Sequence, residues 1–151
     1  MAIGDVRSFM RILEEKGDVH HIGKEVLDGP EIAAVVWEVN ERLGSHGPVL
    51  AFDRVRGYSL RVIKNLYGSY QRLALALGLP NWDQATFREM RDYVAPLLES
   101  KKLWQKPVAV SDAPCQEVVL MGGQATLDWL PILKWHHWDG GPYITFGTVV
   151  N

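Results

Sequence analysis

The chain has 151 residues, 16 Lys and Arg against 18 Asp and Glu, 47% hydrophobic residues and a formal net charge of −2. That length holds one domain, or one domain and part of a second, and it can bury a sizeable core. The charge balance argues against a nucleic-acid binder running on bulk positive charge, and no apolar run reaches the ~18–20 residues that span a bilayer.

Asp5 is an N-cap ahead of Val6, Phe9, Met10 and Leu13. Their spacing, i, i+3, i+4, i+7, predicts a first helix with one buried face. Gly17 supplies its left-handed stop. Val19 to Val26 reads as extended. Pro30, near a first helical position, opens a second helix with Ile32, Val35, Val36, Val39 and Leu43 as its stripe and Gly44 at its end. The period then changes. Pro48 to Phe52 and Tyr58 to Ile63 predict a hairpin closed by the five residues Asp53 to Gly57.

Ser69 caps a third helix running to Ala76, with Gly78 and Pro80 as stops. Leu73 to Leu77 alternates with period two, but Ala and Leu favour helix over strand. Thr86 and Glu89 form a capping box for a fourth helix. Phe87, Met90, Val94, Leu97 and Leu98 make its apolar face, and Pro96 is expected to kink or break it. Ser100 to Pro114, with lysines at 101, 102 and 106 and prolines at 107 and 114, is the linker. Beyond it the pattern predicts a strand at Glu117 to Met121, a turn at Gly122-Gly123, a short segment from Leu127 to Leu130, and a strand from Tyr143 still running at Asn151. The first hundred residues therefore read as α+β and the remainder as β with tight turns.

Candidate chemistry is sparse. The histidines come as His20-His21, His46 and His136-His137. Neighbouring residues diverge on a strand or helix, so neither pair readily supplies two ligands to one metal. His20, His21 and His46 read as surface or structural residues. His136 and His137 differ in lying among Trp135, Trp138 and a glycine-rich turn. Cys115 is the single cysteine, which rules out an intramolecular disulfide and fits a reducing, cytoplasmic compartment. It is a candidate nucleophile without an identifiable base, and its plainer reading is a small buried hydrophobe at a strand start. Glu14, Glu15 and Glu89 read as solvated or capping carboxylates. No phosphate-binding glycine motif is present, and Met1 to Arg11 lacks the layout of a secretory signal. Trp129, Trp135, Trp138, Tyr143 and Phe146 crowd around Asp139-Gly140-Gly141-Pro142. They make either an aromatic core or interface, or one wall of a pocket for a cofactor or aromatic substrate.

Seven segments follow one another in a telling order. Asp5-Val6-Arg7-Ser8-Phe9 with Leu13-Glu14 and Gly17-Asp18 comes first, then Glu31-Ile32-Ala33. Gly47-Pro48-Val49-Leu50-Ala51-Phe52 with Gly57-Tyr58 is third, and Asn65-Leu66-Tyr67-Gly68-Ser69 with Arg72-Leu73-Ala74 fourth. Ala113-Pro114-Cys115-Gln116-Glu117-Val118-Val119, then Leu127 with Leu130-Pro131-Ile132, and finally Asp139 to Gly147 complete the set. Together they resemble the UbiD-type decarboxylases, which use prenylated flavin mononucleotide.

The resemblance implies an α/β N-terminal domain over 1–105, followed over 106–151 by a linker and the incomplete start of a split β-barrel cofactor domain. It implies a reversible, non-oxidative (de)carboxylase of aromatic or α,β-unsaturated acids. In that family prenylated FMN is held with a divalent metal (Mn or Mg) and K. Thr145 aligns with a strand residue lining the flavin site and is the one position carried over. The family's metal-binding Asn segment and its later Arg, His, Glu and acidic catalytic residues lie beyond the region matched here. No catalytic or metal-ligating role is therefore carried to this chain, Asn151 included.

The expectation is a small subunit or part of a hetero-oligomeric enzyme. A second chain would carry the rest of the fold and its metal and catalytic residues, and this chain alone would bind no cofactor. A non-catalytic interaction or regulatory module keeping the same N-terminal fold is the alternative, and a truncated product the third.

Overall fold

The computed structural model describes residues 3, 5–27, 29–100 and 106–144, and the α+β class is borne out by helices and one three-stranded sheet in the first hundred. Helix α1 spans Val6–Glu15. Ser8 N–H donates to Asp5 Oδ1 at 2.7 Å and Asp5 N–H donates back to Ser8 Oγ at 3.2 Å. Phe9, Met10 and Leu13 are buried, while Val6 lies half exposed at the edge of that face. Gly17, at φ +72°, ends the helix in a Schellman motif: its N–H donates to Glu14 O at 3.0 Å, and Asp18 N–H donates to Leu13 O at 2.9 Å.

Strand β1 (Val19–Ile22) runs parallel to β2 (Val49–Phe52), and helix α2 (Pro30–Leu43) is the crossover that parallel pairing requires. Strand β3 (Val62–Lys64) pairs antiparallel on the other side of β2, giving the order β1-β2-β3. The central strand is buried along its whole length because both faces are covered. Leu50 and Phe52 point to the α2 side, among Val26, Ile32, Val55, Val62 and Leu133. Val49 points to the α1 side, against Phe9, Met10 and Leu13. Such two-sided burial explains why Val49 to Phe52 carries no polar residue.

The hairpin turn is longer than its five expected residues. β3 begins only at Val62, because Val55 forms a parallel bridge with Val26. Val26 N–H donates to Arg54 O at 3.0 Å and Arg56 N–H to Val26 O at 2.9 Å, so the middle of the turn is spent on a third partner. Tyr58 to Arg61 consequently lie outside any strand.

Helix α3 spans Tyr70–Leu77, capped by Ser69 and stopped by left-handed Gly78, so helix wins over strand there. Its Arg72 is buried and ties three elements. The guanidinium Nη1 reaches Asp18 Oδ1 and Oδ2 at 3.1 and 3.0 Å, and Nη2 donates to Gly47 O at 2.8 Å.

Helix α4 spans Phe87–Glu99 and runs through Pro96 unbroken. Pro96 sits in the last turn, where its missing N–H deprives only the carbonyl of exposed Asp92, which water can satisfy. Met90 is buried on α4, whereas Phe87 and Leu98, like Leu43 of α2, are exposed.

Beyond Pro114 the expected strand at Glu117 to Met121 is not formed. A strand needs a neighbour for its N–H and C=O groups, and none lies alongside among the described residues. Pro114–Gln116 and Gly122–Gln124 are single 3₁₀ turns, and Leu127 to Leu130 closes a further turn. The C-terminal strand expected from Tyr143 lies mostly outside the described residues, and Tyr143 and Ile144 are not in a strand. No helix among the described residues is long and apolar enough to cross a membrane.

The two capping boxes carry a pH signature. The backbone N–H of Ser8 holds Asp5 below the ordinary carboxylate range, and that of Thr86 does the same for Glu89. A carboxylate with a depressed pKa stabilises the fold above its unfolded pKa and loses that contribution as pH falls through the folded one. The Cα chemical shifts of the first turns of α1 and α4 are expected to move toward coil values below about pH 4. In Glu89→Gln the α4 step should vanish and the α1 step remain. Shifts that stay flat down to pH 2.5 in both helices would refute this.

Candidate functional site: an aromatic groove on helix α2

The segment Leu133 to Trp138 folds back onto the sheet. Leu133 is buried in the core with Val26, Ile32, Leu50 and Phe52. Trp135 covers the Lys64 ammonium, which stands 4.0 Å from the ring centroid, and burial pushes the Lys64 pKa below the usual lysine range. The strap crosses the entrance of α2 at Gly29. Gly29 has φ +69°, and a Cβ built there would meet Lys134 O at 1.9 Å, so only glycine permits this approach. The strap then turns. Asp139 Oδ2 accepts from His136 N–H at 2.8 Å, and Asp139 N–H donates to His136 O at 3.1 Å. Tyr143 N–H returns to Leu133 O at 3.3 Å and closes the loop.

This arrangement stands Trp135 to Trp138 opposite helix α2. Pro30, Ala33, Ala34 and Trp37 fall at i, i+3, i+4, i+7 and present a second apolar stripe, distinct from the one against the sheet. Between stripe and strap lies an open groove of about 490 Å³. Two alanines leave the floor low, and the large rings stand at its edges. Trp37 is 69% exposed and Trp138 87% exposed, which is unusual for so large an apolar side chain.

His136 and His137 both border the groove, with His136 Nδ1 3.6 Å from Asp139 Oδ1. The other histidines are surface residues as expected. His21 Nδ1 lies 2.9 Å from Asp53 Oδ2, and its Nε2 lies 3.6 Å from Glu14 Oε1. His20 and His46 are exposed. Cys115 is exposed in the turn Pro114–Gln116 and is not the buried hydrophobe expected, because no strand forms to bury it. Tyr143 is half exposed beside Lys64 and Leu133. Thr145 and Phe146 lie outside the described residues. From the sequence, Asp18 and Arg72 stood out only as members of the motif segments and Gly29 only as the residue ahead of the second helix, with no sign of the contacts they make. The second stripe on α2 was legible in principle, since its spacing is helical and its residues are small or aromatic.

Chemically, the groove can pack a flat ring or an apolar side chain. It carries no Arg or Lys to neutralise a phosphate. Among the described residues no group of three His, Cys, Asp or Glu is placed to hold a metal ion. These residues therefore do not by themselves fit a flavin mononucleotide with its metal.

Comparison with known proteins places the groove where two family segments meet. Residues 10–90 match the N-terminal domain of 3-octaprenyl-4-hydroxybenzoate carboxy-lyase, and residues 106–151 match its Rift-related domain. A phenolic acid decarboxylase of Sedimentibacter hydroxybenzoicus is 33% identical over 153 aligned residues, covering 97% of this chain and 30% of the relative. The open form of vanillic acid decarboxylase from the same organism superposes with a TM-score of 0.70 at 29% identity, over 94% of this chain and 30% of that one. An evolved dimeric form of the UbiD-class enzyme HmfF from Pelotomaculum thermopropionicum, in complex with prFMN, gives 0.67 at 29% identity, over 90% and 29%. The chain thus spans just under a third of the length of these relatives.

Proposed function

Because the chain belongs to the UbiD family of carboxy-lyases, we propose that it forms part of a reversible, non-oxidative (de)carboxylase of aromatic or α,β-unsaturated carboxylic acids. In this proposal residues 1–105 serve as the N-terminal domain, and residues 106–151 supply the linker and the start of the split β-barrel. A second chain carries the rest of the fold with its metal-binding and catalytic residues. The completed assembly holds prenylated FMN with Mn or Mg and K, and Thr145 lines the flavin.

The observation that carries this is the open aromatic groove at the junction of the two family-matched segments. It is built on the core through Leu133, yet Trp37, His136, His137 and Trp138 stand exposed around it and no Lys, Arg, Asp or Glu lines it. A surface of that kind favours completion by further protein. The relatives named above support the substrate class and the flavin, one as a phenolic acid decarboxylase and one in complex with prFMN. Catalysis through a cofactor also needs charged groups that hold it, which points to residues beyond this groove.

The test is purification of the tagged chain from its native host at native expression. Size-exclusion mass, peptide mass spectrometry of every component and the absorbance spectrum are then read together. The expected result is a hetero-oligomer with a larger UbiD-type polypeptide and a flavin band. A free monomer without flavin would refute the proposal and favour a regulatory or interaction module.

A further inference from the structure

We infer that the α2 groove is the docking face for the part of the UbiD-type fold that this chain does not span. The inference rests on the function proposed above. It goes further in naming the surface and the chemistry of what sits on it.

Three observations lead there. The relatives extend to more than three times the matched length, so most of the fold lies outside the matched region. The groove is rimmed by Trp37 and Trp138, the residue type that most often anchors an interface when it fills a partner's pocket. Val118, Val119, Met121 and Trp129 of the Rift-related segment are exposed as well, so that segment leaves further apolar side chains uncovered. A free-standing domain would leave the groove wet, whereas a docked remainder buries it.

The lining also sets what docks. Its contacts are proline, alanine and tryptophan, with two imidazoles at one end. A charged side chain would lose its hydration there and find no counter-charge. The occupant is therefore an uncharged aliphatic or aromatic surface, with a hydrogen-bonding group facing His136 and His137.

The test uses the assembly purified from the native host, comparing the wild type with Trp37→Glu and Trp37→Phe. A photoreactive phenylalanine analogue at position 138 provides cross-links. Trp37→Glu should cut recovery of the UbiD-type polypeptide by about 30-fold, in the range of a lost tryptophan hot spot, and Trp37→Phe should largely retain it. Because Trp37 is exposed, both variants should melt at the wild-type temperature when isolated. Cross-links from position 138 should map onto the UbiD-type remainder. Wild-type recovery in Trp37→Glu, or cross-links to a second copy of this chain, would overturn the docking face and leave the proposed function standing. Absence of any UbiD-type polypeptide with the wild type would overturn both.

Discussion

Asp18→Ala is expected to lower the unfolding free energy by about 3 kcal/mol, and more than Arg72→Met does, although Arg72 is the larger and more buried side chain. The asymmetry follows from where each charge is left. Removing Asp18 strands a guanidinium that is 3% exposed as a residue, whose Nε already finds no acceptor among the described residues. Removing Arg72 instead frees a carboxylate that is about one-third exposed and can rehydrate, so the main loss is the hydrogen bond to Gly47 O. Arg72→Met should therefore cost about 1.5–2 kcal/mol. The double variant should resemble Arg72→Met alone, giving a coupling of about 3 kcal/mol, the full cost of Asp18→Ala. Urea unfolding of all four proteins measures this cycle. Additive losses, or an Asp18→Ala cost below that of Arg72→Met, would show that the pair does not hold α3 to the sheet.

Gly29→Ala should release the strap that builds the groove. Two penalties add at this position. At φ +69° and ψ −105°, outside the left-handed helical well, a Cβ is strained by at least about 1–3 kcal/mol, and it would overlap Lys134 O at 1.9 Å, a backbone atom that cannot rotate away. Relief requires the strap to lift, which exposes Leu133 at a cost of about 2 kcal/mol. Gly17→Ala is the control for a positive φ alone. Its φ is +72°, but nothing lies within 4 Å of the added carbon, so only the strain of about 1–2 kcal/mol remains. The expected outcome is a Gly29→Ala loss larger than that of Gly17→Ala by about 2 kcal/mol. A red shift of tryptophan emission should accompany it as Trp135 leaves Lys64. Equal losses, with unchanged emission, would mean that the strap is not seated at α2.

How much of this was legible in the sequence depended on whether the governing interaction was local. The starts of α1, α3 and α4 were readable because Asp5, Ser69 and Thr86 bond donors within three residues. The stops of α1 and α3 were readable because left-handed turns at Gly17 and Gly78 are a backbone property, whereas α4 ran past Pro96 to Glu99. The start of β3 was not, since Val55 is claimed by Val26, 29 residues away. Glu117 to Met121 has strand composition but pairs with nothing among the described residues, and composition alone does not make a ladder.

The site was legible only in part. The crowding of Trp135 and Trp138 beside His136 and His137 marked one wall. The other wall, Pro30 to Trp37, was masked by the stronger stripe of Ile32, Val35, Val36 and Val39 on the same helix. The close approach of Gly29 to Lys134 joins residues 105 positions apart, and no local pattern announces it.

The proposed activity is read from exchange of labelled bicarbonate into the carboxyl group of a panel of aromatic and α,β-unsaturated acids. It would use the assembly purified through this chain and, separately, the chain alone. Exchange reads (de)carboxylation in either direction. Exchange is expected from the flavin-bearing assembly on at least one acid, and none from the isolated chain. Exchange by the isolated chain, or none by an intact flavin-bearing assembly on any acid, would contradict the proposed function.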